Sequence, residues 1–294
     1  MAKSVLITGC SPGGIGHALA VEYHHRGCIV IATARRPEVL ESLADAGIRT
    51  LQLDVTDQAS VDACRAATAE MTGGKLDILV NNAGRSYTMP LLDSDMQAVK
   101  DLYEVNLFGT MRMCKSFSGL LMAARGLIVN MSSMGTEFDL LFGSNYTSSK
   151  SALNDYSRGL RWELKPLGVR VMVIMGGIVL SNIDRNNLHE LQPGSLYAPA
   201  RPVFVRQQTR TWAADLVSAD VVARRIVAES IKGRGRFGGW LGGSPDVVWT
   251  GGWTLVTRLV RGLPWVHQRL TDYLFQRTRM IRLVREALSS AKQD

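Results

Sequence analysis

Residues 4–26 read Ser4-Val5-Leu6-Ile7-Thr8-Gly9-Cys10-Ser11-Pro12-Gly13-Gly14-Ile15-Gly16-His17-Ala18-Leu19-Ala20-Val21-Glu22-Tyr23-His24-His25-Arg26. Ser4 to Thr8 is an apolar run with the length of a buried strand. Gly9 to Gly16 is a glycine-rich turn, and His17 to Arg26 carries a helical pattern. Strand, glycine-rich turn and helix together set bare backbone N–H groups and a helix N-terminus where a pyrophosphate fits. A glycine cluster by itself also suits a plain tight turn. Its position directly behind the first strand favours the phosphate reading.

Outward from that unit, strand and helix keep alternating. Cys28 to Thr33, Arg49 to Leu53, Leu76 to Val80, Leu127 to Met131 and Val169 to Met175 read as further strands. Asp57 to Met71, Met96 to Phe117, Asn154 to Leu164 and Asp220 to Ile231 read as helices. The alternation predicts an α/β fold, a Rossmann-type doubly wound parallel sheet, with ligands at the C-terminal strand ends. Of the 294 residues, 46% are hydrophobic, enough for one large domain with an extension. Cys10, Cys28, Cys64 and Cys114 lie in apparent core segments without paired or metal-like spacing. They read as reduced thiols and give no metal site. A strand begins almost at once and no apolar leader precedes it, so no secretory signal is expected.

The second strand runs into Ala34-Arg35-Arg36. A carboxylate there would bind a ribose diol and mark an NAD site. Arginines suit a 2′-phosphate, which a guanidinium grips with two parallel hydrogen bonds. The bland alternative is a pair of solvated arginines, and the missing acid favours phosphate.

Leu127 to Lys150 carries the chemistry. Ser132 and Ser133 follow the fifth strand. Tyr146 and Lys150 stand four apart at the head of a helix, and so on one helical face. An ammonium beside a phenol favours the phenolate and readies it for proton transfer. Tyr-x-x-x-Lys alone occurs by chance in many helices; its setting gives it weight. Asn106, inside a helix, is mildly unfavourable unless it is exposed or has a partner.

In order, Thr8-Gly9-Cys10-Ser11-Pro12-Gly13-Gly14-Ile15-Gly16, Asn81-Asn82-Ala83-Gly84, Val105-Asn106, Ser133 and Tyr146-x-x-x-Lys150 resemble the short-chain dehydrogenase/reductase family, over about residues 3 to 232. The resemblance implies Tyr146 as general acid/base and Lys150 as holder of the nicotinamide ribose. It makes Ser133, before its neighbour Ser132, the hydroxyl that orients the substrate carbonyl. Asn106 holds a water in the proton relay. Gly9, Ser11, Gly14, Ile15 and Gly16 form the phosphate loop, and Arg35 selects NADP. Asp54 and Val55 flank the adenine, and Asn82, Ala83 and Gly84 the ribose side. The loop is one residue longer than the family pattern, which leaves Pro12 and Gly13 unassigned. Met175-Gly176-Gly177-Ile178 replaces the usual Pro-Gly, with Ile178 and Ser181 at the carboxamide position. Finer wording, such as Phe142-Gly143-Ser144-Asn145-Tyr146-Thr147-Ser148-Ser149-Lys150, resembles the fungal branch that holds an NADPH-dependent 1-acyldihydroxyacetone-phosphate reductase.

The family reading makes 1–232 a dinucleotide-binding catalytic domain with a proline-bearing lid at about 182–214. Trp212, Phe204 and the tail are expected at the substrate entrance. Residues 233–294 form a basic extension, leaving the core at Gly233. From Thr254 on it holds eight Arg/Lys against three acids, a net of +5 within a chain total of +8. Leucines at helical spacing, arginines and Trp265 suit either a membrane surface or a cap on the subunit or a partner. No nucleic-acid module is present. The implied protein is an intracellular, cytoplasmic NADPH-dependent carbonyl reductase for a hydrophobic ketone from lipid or secondary metabolism, a homodimer or homotetramer, with endoplasmic-reticulum or lipid-droplet surfaces open to the tail. Two rival readings stand: a scaffold or non-redox cyclisation catalyst, and an NAD-linked dehydrogenase run oxidatively.

Overall fold

The computed structural model describes residues 2–180, 188–209, 217–235, 242–260 and 262–290. Seven parallel strands form the central sheet. They are β1 (Ser4–Ile7), β2 (Ile29–Ala34), β3 (Arg49–Gln52), β4 (Ile78–Asn81), β5 (Leu127–Met131), β6 (Arg170–Gly176) and, after the pair β7 (Val179–Leu180) and β8 (Val217–Ser218), β9 (Val247–Thr250). The order across the sheet is β3-β2-β1-β4-β5-β6-β9, with Val5 in register with both Val30 and Ile78. The direction of winding reverses between β1 and β4, which opens a crevice at their C-terminal ends.

Both faces of the sheet are covered, so the strands are apolar throughout rather than alternating. Val5 and Ile7 point to one side. There they pack with Leu19 and Tyr23 of α1 (Ile15–His25), Leu43 of α2 (Glu41–Asp45) and Val222 and Ile226 of a later helix, Ala219–Ser230. Leu6, Ile31 and Ile128 point to the other, against Val61 of α3 (Gln58–Thr72) and Phe117 and Leu121 of Thr110–Ala124. Asp57 caps α3 by accepting from the N–H groups of Ala59 and Ser60, the commonest way to satisfy a helix start.

The long helix expected around Asn106 is not one regular helix. α4 (Met96–Tyr103) and α5 (Thr110–Ala124) are joined by a wider π-type turn over Glu104–Gly109. Such turns shift the side-chain register and recur at functional sites. α6 (Ser144–Leu164) carries Tyr146 and Lys150. The loop-rich segment beyond β6 contains a regular helix, α7 (Arg201–Thr209), despite its prolines. Residues 182–187, 210–214 and Trp212, expected in the lid, lie outside the described residues. β7 and β8 pair in parallel, so the chain leaves and re-enters the body side by side.

The sheet also continues past the point where the sequence ends the core. After α8 (Ala219–Ser230), β9 supplies the seventh strand, pairing Val173 with Val247 and Met175 with Trp249. Residues 247–250 are therefore part of the central sheet, because the edge of β6 needs a partner. Three helices follow: α9 (Thr254–Val260), α10 (Pro264–Phe275) and α11 (Arg277–Ser290). No helix among the described residues is long and apolar enough to cross a membrane. The four cysteines are free and buried, and burial pushes the Cys64 thiol up to about 11 and Cys114 to about 12.

Candidate active site

A cleft of about 540 Å³ runs across the C-terminal ends of β1, β2, β4 and β5. At one end it is walled by Ala34, Arg35, Arg36, Val39, Leu53, Asp54 and Val55. Arg36 lies 4.0 Å from Glu38, whereas Arg35 has no acidic partner among the described residues. At mid-length the cleft meets Gly9, Ser11, Pro12, Gly14 and Ile15. α1 starts here with Gly14 as an N-cap that offers no side-chain acceptor, and with no acid in its first turn. The first N–H groups of the helix thus remain for an anion.

The glycines are there for contact. A Cβ on Gly9, whose φ is +73, would stand 3.0 Å from the Ala83 Cα. A Cβ on Gly16 would collide with the Gly9 carbonyl and the Asn82 side chain. Gly16 therefore packs beneath the loop rather than lining the cleft. The extra loop residue is absorbed by Gly13, whose φ of +72 turns the chain; Pro12 reaches the cleft wall. Asn82 braces the loop, its amide donating to the carbonyls of Thr8 and Gly9 at 2.9 and 3.0 Å.

The other end of the cleft holds Gly84, Arg85, Met131, Ser132, Ser133, Tyr146 and Lys150. Lys150 is buried, and its Nζ donates to the Met131 carbonyl at 2.9 Å. Burial pushes its ammonium down to about 8. Asn106 does not line the cleft. From the π-type turn its Oδ1 accepts from the Arg85 N–H at 2.9 Å, and its Nδ2 donates to the Arg85 carbonyl and to the Ser149 hydroxyl, each at 3.0 Å. Its partners answer the question the sequence left open. A Cβ on Gly84 would sit 3.2 Å from Asn106 Oδ1 and 3.5 Å from Lys150 Nζ, so Gly84 separates the two.

A second, smaller pocket of about 60 Å³ opens beyond this end. It shares Ser133, Tyr146, Gly176 and Gly177 with the cleft. Ser133 Oγ accepts from the Gly135 N–H at 3.0 Å, which fixes its hydroxyl at this junction. Ser132 lines only the cleft, its buried hydroxyl without a partner among the described residues. The pocket is mostly apolar: Met134, Phe138, Leu140, Leu141 and Ile178 on one side, Trp253, Leu274 and Phe275 on the other. Ile178, expected beside the cofactor, faces this pocket, and Val179 takes its place in the cleft. Ser181 lies outside the described residues. Phe204 is buried against Phe142 at a ring distance of 5.7 Å, not at the pocket wall.

The sequence expected the tail at the substrate entrance but did not name Trp253, Leu274 or Phe275 for it, since nothing local ties Phe275 to Tyr146. A faint signal existed in the glycine pair before Trp253. Gly251 and Gly252 let the end of β9 lie on Gly177, where a Cβ would collide with the Gly252 carbonyl. Ile178 and Gly252 exchange backbone hydrogen bonds at 3.2 and 3.0 Å. α10 then lays Phe275 against Phe138, ring centres 6.2 Å apart.

A family model described as short chain dehydrogenase matches residues 3–192. The chain is 39% identical over 295 residues to the short-chain dehydrogenase virD of Hypocrea virens, covering 99% of this chain and 98% of that one. It is 38% identical over 272 residues to the NADPH-dependent 1-acyldihydroxyacetone phosphate reductase of Schizosaccharomyces pombe, covering 89% and 90%. Among solved structures, a short-chain dehydrogenase from Streptomyces avermitilis matches with a TM-score of 0.75 at 28% identity, over 93% of this chain and 96% of that one.

Proposed function

Since the chain belongs to the short-chain dehydrogenase family, we propose that it is an NADPH-dependent carbonyl reductase, reversible as an alcohol dehydrogenase, acting on a hydrophobic ketone. The carrying observation is that the cleft of about 540 Å³, which runs from Arg35 past the glycine-rich loop, and an apolar pocket meet at Ser133 and Tyr146.

The cofactor is NADP(H), and the residues present fit it. The uncapped start of α1 and the Gly9–Ile15 loop take the pyrophosphate, Asp54 and Val55 the adenine side, and Arg35 the 2′-phosphate. The last role is supported by the absence of a carboxylate at the end of β2 and by the NADPH-dependent relative. When bound, NADPH supplies the hydride that adds to the carbonyl carbon.

The chain's own residues position the carbonyl and move the proton. Ser133 Oγ and the Tyr146 hydroxyl bracket the carbonyl oxygen, and Tyr146 gives it the proton as negative charge develops. Lys150 stands one helical turn behind and favours the phenolate left on Tyr146. Asn106, bonded to Ser149 and to the Arg85 backbone, holds the geometry through which a proton is resupplied. The apolar walls exclude water and favour a hydrophobic substrate. At about 60 Å³ the pocket takes only the reacting end of such a molecule without movement of α10.

The test is titration of NADPH and NADH with wild type and Arg35→Ala, followed by turnover of a ketone panel with Tyr146→Phe. We expect NADPH affinity to fall tenfold or more in Arg35→Ala. Turnover should drop about a hundredfold or more in Tyr146→Phe with NADPH still bound. Equal affinity for both nucleotides, unmoved by Arg35→Ala, would favour the NAD-linked oxidative reading. Biosynthetic function retained by Tyr146→Phe would favour the scaffold or cyclisation reading.

A further inference from the structure

Trp253 is the one tail residue in the substrate pocket that carries a polar group. Its indole Nε1–H is buried and has no acceptor among the described residues. A buried donor left unpaired costs about 1–3 kcal/mol, so an N–H kept this way at a ligand pocket calls for an explanation from the ligand.

The backbone holds the side chain in place at a further cost. Trp253 has a φ of +67, the left-handed region that a bulky side chain seldom adopts. The Trp253 carbonyl accepts from both the N–H and the hydroxyl of Thr257, at 2.9 and 2.8 Å. Immediately before it, the Ile178–Gly252 pair locks the chain to the end of β6. The strained residue is thus pinned from both sides, with its ring forming pocket wall. Gln207, another polar group there, is already committed: its Nε2 donates to the Phe275 carbonyl at 3.0 Å. Ser86 and Thr88 also bring hydroxyls to the pocket wall. Beside Ser133 and Tyr146, which serve one oxygen, Trp253 adds a buried donor with no acceptor among the described residues.

We infer that Trp253 is a specificity-determining residue whose indole N–H donates to a second oxygen on the substrate, so that the substrate is a hydrophobic ketone carrying another hydrogen-bond acceptor (a hydroxyl, ester or second carbonyl) near the reacting carbon. This rests on the reductase reading above. Ketones without that group leave the donor unpaired and are discriminated against, as in any site built to bond a substrate oxygen.

The experiment compares pairs of apolar ketones matched in carbon skeleton, one of each pair bearing the second acceptor, with wild type and Trp253→Phe. Phenylalanine keeps an aromatic wall and deletes the N–H. Wild type should favour the acceptor-bearing ketone by about tenfold or more in kcat/KM. Trp253→Phe should cut that ratio about tenfold, or about 1.4 kcal/mol. A purely structural role for the ring would slow both members alike and leave the ratio where it was. A wild-type ratio near one, or an unchanged ratio in Trp253→Phe, overturns the inference while the reductase reading survives. If wild type binds NADPH and reduces neither member of any pair, the reductase reading falls and takes the inference with it. Should Trp253→Phe fail to fold, the ratio is read instead in Trp253→Leu, which also deletes the N–H, against the same outcomes.

Discussion

Lys150 is a charge held where charge is costly. Its ammonium is buried, has a backbone carbonyl as acceptor, and is pushed down to about 8 from an ordinary value of 10.5. Between those two pH values the unfolded chain still holds a proton that the folded chain has released. Stability then rises with pH across this window, and below about pH 8 the full cost of burying the charge is present. We expect cofactor-free Lys150→Met to be more stable than wild type at pH 7, by about 3 kcal/mol. The advantage should shrink towards pH 10. Urea melts of both proteins at the two pH values read it directly, and a constant gap would place the cost elsewhere. The same residue shows what a motif tells in advance. The i to i+4 spacing put Tyr146 and Lys150 on one face, but the carbonyl that anchors Lys150 belongs to β5, and no local pattern names it. Asn106 was conspicuous as an unfavourable helix residue, and its partners became visible only with the fold.

At the scale of elements, α10 closes the apolar pocket beside Ser133 and Tyr146. Leu274 and Phe275 are buried there beside Phe138, while the cofactor cleft touches neither. Phe275→Ala should therefore raise KM for apolar ketones about tenfold and leave NADPH affinity where it is. A loosened pocket wall predicts that split, whereas a tail independent of catalysis predicts no change in KM. The strands β1 and β5 were legible because burial on both faces makes them unbroken apolar runs, Ser4–Ile7 and Leu127–Met131. β9 was not, because Val247–Thr250 is short, sits between glycine-rich stretches, and is a strand only by virtue of the edge of β6. α7 was hidden by neighbouring prolines, although Pro202 lies in its first turn, where a missing N–H is tolerated. Apolar residues at helical spacing marked the tail as helical but could not say which face was covered.

At the scale of the whole molecule, the tail has two faces. One is spent on the pocket. The other leaves Leu255 68%, Leu259 67% and Trp265 72% exposed, beside the exposed arginines 258 and 269. Leucine and tryptophan interleaved with arginine suit the interface of an anionic membrane. The protein should float with vesicles containing anionic lipid and not with neutral ones. Leu259→Asp combined with Trp265→Ser should abolish flotation, whereas flotation unchanged in that variant would place the contact elsewhere. The position of β9 has a further consequence, for synthesis. Val247 pairs with Val173 across a long intervening chain, so the sheet edge waits for a distant segment. A nascent chain emerges N-terminus first. By the time residue 180 has left the ribosome, every residue that walls the nucleotide cleft exists. Trp253, Leu274 and Phe275 do not. Birth order thus makes a nucleotide-binding body first and a selective one last, and a ribosome stalled in between displays a nucleotide cleft whose apolar pocket still lacks its Trp253, Leu274 and Phe275 side.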